Sequence, residues 1–398
     1  MRIIKTTIRN RGMRFFMAVF LVFTVPILSM VCVKIFPDAY EYMSNAAKYS
    51  DVIPMNTSES RIINNGEFTL YMPQAVPATK EEEIQNEKEP EANEAVLLSR
   101  NISETKEDLT VFSSVSGEIY EVTFQDNPGA DFIDLPFGGQ VRNCTEMSNE
   151  MVKQETLVPH KIDVELYTEE PQILIMHTHT TESYEIKEKD YFDNEYTSRS
   201  DDPRNGVVAV GAAIAEELSA AGISVIHDGT IHDDQYSGAY SRSLETVEKI
   251  LSEYPTIKIV LDIHRDAIED SGSRVSAVTE INGQKAAQVM IISAADDGTY
   301  DIPEYLENFH FACAFQQAIE SSYPTLTRPV LFQYCHYNQH VTTGSLLIEI
   351  GSHGNTIDQA VYSGHLVGKS LAKMFTKNDS GERDIIKNMP RFFMDMLR

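Results

Sequence analysis

Three apolar runs in this chain stop abruptly at ionisable residues, and no other feature restricts the possible folds as much. ILIM (173–176) runs into HTHTTE, IKIVLDI (257–263) into HRD, and SLLI (345–348) into EIGSHGNT. Short continuous apolar runs of this kind read as strands buried on both faces. Between them lie helical patterns: GVVAVGAAIAEELSAAG (206–222), preceded by Asp202 and Pro203 and ended by Gly222, and SLETVEKILSEYP (243–255), stopped by Pro255. Downstream come a strand pair around Asn282-Gly283, a helix from about Pro303 to Ser322, the strand PVLFQY, and a closing helix from about Thr356 to Phe375. Strands alternating with helices predict an α/β fold with a mostly parallel central sheet and helices on both faces.

In such a sheet all parallel strands open their carboxyl ends onto one edge, where ligand sites form. His177, His179, Glu182, His264 and Glu349 can therefore converge, although His179, His264 and Glu349 lie about 85 residues apart in sequence. Read as one strand, His177-x-His179 points both rings to the same face, so either can ligate while the other orients it. Histidine with carboxylate suits Zn²⁺ held by three protein ligands with one position open to water. A carboxylate left unligated can serve as general base. Arg265 can bind a carboxylate or an oxyanion, or form a surface salt bridge. His227, His232, His336, His340 and His353, with Glu185, Glu188 and Glu195, read as ordinary hydrogen-bonded or loop residues.

The first fourteen residues carry Arg2, Lys5, Arg9, Arg11 and Arg14 and no acid, and the apolar run Phe15–Val33 follows. Nineteen residues at helical rise cover roughly 28 Å, close to the hydrocarbon thickness of a bilayer. The sequence thus predicts a single-pass anchor at the cell membrane, with the N-terminus cytosolic and the rest extracytoplasmic. Residues 77–94 (VPATKEEEIQNEKEPEAN) read as an acidic tether. The expected organisation is a basic tail (1–14), an anchor (15–33), a linker (34–109), an appendage (110–170), a catalytic domain (171–380) and a C-terminal tail (381–398). A net charge of −27 and a pI near 4.7 leave no basic stripe for nucleic acid. Cys32, Cys144, Cys313 and Cys335 form no CxxC pair, which argues against a cysteine zinc site or a disulfide framework.

The blocks HTHTTESY, SRSLETVEKIL, VLDIHRD and GSLLIEIGSHGNT, with VRNCT upstream, resemble the stage II sporulation protein P family over about residues 138–376. The resemblance implies a membrane-anchored peptidoglycan hydrolase similar to the zinc-dependent N-acetylmuramoyl-L-alanine amidases. It implies a role in septal wall degradation during engulfment, beside stage II sporulation protein D, a lytic transglycosylase, and stage II sporulation protein M. Matching the amidase pattern residue by residue implies His179 and His264 as zinc ligands and Glu349 as the catalytic glutamate. The third ligand is assigned to Glu182, within the HTHTTE block, with Glu195, sixteen residues after His179, as the alternative. His177 is a ligand or a neighbour that orients one. A stem-peptide endopeptidase and a non-catalytic wall-binding scaffold are the competing readings.

Overall fold

The computed structural model describes residues 61–64, 69–72, 115–125, 127–193 and 198–376, all within the compact unit Ser58–Arg398. Strands β1 (Arg61–Asn64), β2 (Thr69–Met72), β3 (Val115–Val122), β4 (Phe132–Asp134) and β5 (Gln140–Cys144) come first. Helix α1 (Asn149–Glu155) then precedes β6 (Ile173–Met176) and β7 (Tyr191–Asp193). A 3₁₀ turn at Pro203–Asn205, capped by the Asp202 side chain on Arg204 N, leads into α2 (Val207–Ala220). Next are β8 (Val225–His227), α3 (Ala239–Glu253), β9 (Ile259–Asp266), β10 (Glu269–Asp270), β11 (Ser273–Ile281), β12 (Gln284–Ala287) and β13 (Val289–Ala295). Helix α4 (Tyr305–Ser322), β14 (Val330–Tyr334), β15 (Ser345–Ser352) and α5 (Ile357–Thr376) complete the described chain.

The strands form a ten-stranded sheet, ordered β1-β2-β8-β6-β9-β15-β13-β14-β5-β4, and a five-stranded sheet that holds β10, β11, β3, β7 and β12. This corrects the expected mostly parallel sheet. Neighbours β8–β6, β6–β9, β9–β15, β13–β14 and β14–β5 are parallel. Neighbours β1–β2, β2–β8, β15–β13 and β5–β4 are antiparallel, so the fold is mixed α/β with two sheets. The physical reason is that a continuous apolar run reports burial on both faces but carries no strand direction. Direction follows from the connections: the short turn between β4 and β5 admits only antiparallel pairing, as does Asn282-Gly283 between β11 and β12, where both residues have φ > 0.

Strand alternation divides the core. Ile173 and Ile175 of β6, with Ile259, Leu261 and Ile263 of β9, pack in the cluster that contains Val210, Ile214 and Leu218 of α2. Leu174, Met176 and Val260 face the other way, against Val247 and Ile250 of α3. Each such side chain contributes roughly 1.5–3 kcal/mol when fully removed from water. Toward its N-terminus α3 presents Ala239 and Ser243 on the same buried face, and there the apolar layer gives way to polar groups.

Among the described residues no helix is long and apolar enough to cross a membrane. The described residues therefore give the expected single-pass anchor, membrane contact and extracytoplasmic placement no support. The run 15–33 on which they rest lies outside the described residues, as do the acidic tether 77–94 and the tail 381–398. The septal role and the association with stage II sporulation proteins D and M likewise find no support in this structure.

Candidate active site

The frame of the site is a strand register. β9 and β15 pair in parallel with His264 beside Glu349, and alternation puts both on the α3 face of the sheet, continuing the rows of Val260 and Leu347. Glu349 is the last residue of the regular pairing, because the register shifts between it and Ser352. Gly351, with φ +64°, takes up the left-handed conformation in that irregular stretch.

His179 and Glu182 reach the same place from the segment that follows β6. The His179 and His264 rings stand nearly perpendicular with centroids 5.4 Å apart. Glu182 Oε2 lies 3.4 Å from His264 Nδ1 and accepts the Arg265 backbone N–H at 3.1 Å. Asp262, two residues before His264 and therefore on the same strand face, accepts from Thr178 N at 2.8 Å and from Thr178 Oγ1 at 2.7 Å. Its Oδ1 is 2.9 Å from His264 Nε2, near in distance but out of line for a hydrogen bond. Asp233 accepts from Thr181 N at 3.1 Å and Thr181 Oγ1 at 2.7 Å, and it pairs with Arg199. It also stands 3.7 Å from His179 Nδ1. Arg199 Nη2 is in turn 3.8 Å from Glu182 Oε1.

Burial makes this cluster electrostatically tense. Desolvation raises the Glu349 pKa to about 8, with Glu182 and Asp266 adding to it and His264 opposing. Burial disfavours charge on His264, yet Asp262 and Glu182 together hold its pKa well above the ordinary value. Desolvation likewise works against ionised Glu182, and His264 with Arg265 more than offsets it. Burial also opposes the Asp233 charge, but contacts from His179, Thr181 and Arg199 bring its pKa down to about 2.

His177 goes elsewhere. The chain turns after Met176, so the expectation that both rings share a face fails: His177 enters the α2 side of the sheet. Its Nδ1 donates to Ile263 O at 2.9 Å, and its Nε2 is 2.9 Å from His227 Nε2. Because a carbonyl only accepts, His177 carries its proton on Nδ1, and its Nε2 accepts from His227. Both ring nitrogens are thus engaged, and burial lowers the His177 pKa to about 4. The pair leaves no room on α2. A methyl group on Gly211 would lie 2.7 Å from His227 Nε2 and 2.8 Å from His177 Cε1. Gly211→Ala is therefore expected to cost about 1–3 kcal/mol of stability in urea unfolding.

Arg265 is neither a surface salt bridge nor directed at a ligand. It is buried, and its guanidinium donates to Ser183 O at 2.8 Å, Ser198 O at 2.7 Å and Asp266 O at 3.2 Å. It ties the segment after β6 to the end of β9.

Three buried polar atoms of the cluster have no hydrogen-bond partner: His179 Nδ1, His264 Nε2 and Glu349 Oε2. Two imidazoles beside carboxylates, with atoms left unsatisfied, are the donor types that suit Zn²⁺. Among the described residues, however, no group of three His, Cys, Asp or Glu side chains is arranged to hold a metal ion. The expected membrane-anchored hydrolase thus finds neither a spanning helix nor an assembled three-ligand group among the described residues. Glu195, the other candidate third ligand, lies outside the described residues.

The family model described as stage II sporulation protein P (SpoIIP) matches residues 41–375. The chain belongs to the stage II sporulation protein P family. A stage II sporulation protein P of Bacillus subtilis (strain 168) is 24% identical over 215 residues, which cover 51% of this chain and 51% of that protein. The match thus spans about half the length of the curated relative. Two solved amidases are distant likenesses of fold. The CwlD amidase of Clostridioides difficile has a TM-score of 0.33 at 13% identity, covering 52% of this chain and 98% of that one. The N-acetylmuramoyl-L-alanine amidase AmiC2 of Nostoc punctiforme has a TM-score of 0.32 at 11% identity, covering 52% and 97%.

In this family member the sequence reading missed Asp262, Asp233 and Arg199. Asp262 carried a signal, since a residue two before a histidine on one strand shares its face. Asp233 and Arg199 sit in polar loops and carried none.

Proposed function

We propose that this chain is an amide hydrolase of the zinc-dependent N-acetylmuramoyl-L-alanine amidase type. The observation that supports it most is the in-register pairing of Glu349 with His264, where a buried carboxyl oxygen without a partner meets an imidazole beside His179. His179, His264 and Glu182 would hold zinc, with Glu195 as the competing carboxylate. Zinc, when bound, would supply Lewis-acid polarisation of the carbonyl and lower the pKa of a water to about 7.

The remaining steps belong to the chain. Glu349 takes a proton from the attacking water at Oε2, and its burial keeps the pKa near the range where a carboxyl can both accept and return a proton at neutral pH. The oxygen adds to the carbonyl carbon, the C–N bond breaks, and Glu349 delivers the proton to the departing amine of L-alanine. Asp262 and Asp233 fix Thr178 and Thr181 and so position His179 between them. Arg265 holds that segment in place through two of its carbonyl groups, those of Ser183 and Ser198.

Removing metal with a chelator is expected to lower release of L-alanine amines from peptidoglycan at least about tenfold, and added zinc to restore it. His264→Ala is expected to lose both bound zinc and hydrolysis. Unchanged release after chelation, or products with opened cross-links and no new L-alanine amine, would sink the reading.

A further inference from the structure

Beside the cluster stands a wall of three tyrosines that the hydrolytic chemistry does not use. Tyr236, on the loop between β8 and α3, lies flat on His179 with ring planes at 0° and centroids 4.8 Å apart. Tyr240, in the first turn of α3, stacks near His264 at 6.4 Å and 12°, and meets His179 edge-on at 5.7 Å. Tyr337 extends the wall, 5.4 Å from Tyr240.

Tyr236 remains 68% exposed although His179 lies against one of its faces. A ring so exposed leaves most of its surface to solvent, and a lone exposed tyrosine on a long loop would ordinarily be free to turn away. Here the loop is braced. Arg242 donates to the carbonyls of His232 at 2.7 Å and Ser237 at 3.2 Å, and also to that of Gln235. Arg199 holds its guanidinium 5.4 Å from the Tyr236 ring centroid while paired with Asp233. On the other side, Asn338 Nδ2 donates to Tyr240 O at 2.9 Å. Tyr337 and Asn338 both adopt positive φ, 43° and 55°, which costs energy for residues other than glycine and persists where surroundings enforce it. The wall is therefore built before any ligand arrives, and rings fixed in advance lose little entropy on binding.

We infer that Tyr236, Tyr240 and Tyr337 form a saccharide subsite that stacks on the sugar ring of the glycan strand whose peptide is cleaved. This rests on the amidase reading and deepens it. In that substrate the reacting carbonyl belongs to a lactyl group joined by one ether oxygen to the sugar, so a pyranose must lie within a few bonds of the reacting carbon. Aromatic faces one ring-width from His179 and His264 are where it would rest, C–H groups against the π-surface. The tyrosines carry no charge to match the carboxylates of a stem peptide, whereas an uncharged sugar ring needs none.

The test uses Tyr236→Ala and Tyr236→Trp in the full chain, with two measurements. For hydrolysis of peptidoglycan, Tyr236→Ala is expected to raise KM about fivefold to tenfold with kcat within twofold, and Tyr236→Trp to restore KM. For binding, calorimetric titration with peptide-free glycan strands is expected to show affinity falling by the same factor in Tyr236→Ala and returning in Tyr236→Trp. A fall in kcat with KM unchanged would mean the ring acts only through His179, and would overturn the subsite. Glycan affinity equal in wild type and Tyr236→Ala, or absent in wild type, would overturn it as well. If the wild-type chain binds glycan through Tyr236 but hydrolyses nothing, the amidase reading falls and the saccharide subsite stands.

Discussion

Glu349→Ala is expected to lower hydrolysis about 10²- to 10⁴-fold, the range that a positioned general base contributes, while bound zinc stays at the wild-type level. The fold should not suffer. Glu349 Oε2 is buried without a partner, and desolvation is the main reason its pKa sits at about 8. Removing the carboxyl removes that desolvation cost, so the thermal midpoint is expected to equal or exceed that of the wild type. Stability and activity then move in opposite directions, the pattern of a residue retained for chemistry rather than packing. Turnover measured on purified peptidoglycan, with calorimetry on the same sample, checks both halves. Wild-type turnover in the variant would remove Glu349 from the mechanism.

Asp262→Ala is expected to have the largest effect on stability, about 3–5 kcal/mol in urea unfolding. The carboxylate accepts two hydrogen bonds from Thr178 and balances His264. Its loss leaves the buried Thr178 N–H unsatisfied and takes from His264 one of the two carboxylates beside it. Asp262→Asn keeps an acceptor for Thr178 and should cost less than half as much. A cost below about 1 kcal/mol for the alanine variant would show that the segment after β6 is held by Arg265 and not by Asp262.

The central strands were legible because burial on both faces writes itself as unbroken apolar runs: ILIM, IKIVLDI and SLLIEIG each became a strand, β6, β9 and β15. The direction of their neighbours was not legible, since β13 is as apolar as β15 and runs opposite to it. Within the site, His264 and Glu349 follow from strand periodicity alone. His177 did not follow, because its periodicity assumed a strand that in fact ends at Met176. The partners that decide its fate, His227 and Ile263, belong to other strands. Arg265 was misread for a related reason. Its place beside His264 suggested chemistry, but on a strand adjacent residues face opposite ways, and its guanidinium is spent on backbone carbonyls.

The pairing of β9 with β15 gives the site two halves with different mechanical character. The separation between His264 and Glu349 is a lattice spacing of the sheet, set by backbone hydrogen bonds and indifferent to which side chains fill the helices. His179 and Glu182 hang instead on a turn secured by side-chain contacts from Asp262, Asp233 and Arg265. Substitutions in the surrounding core will therefore leave the first pair at constant distance and shift the second pair against it.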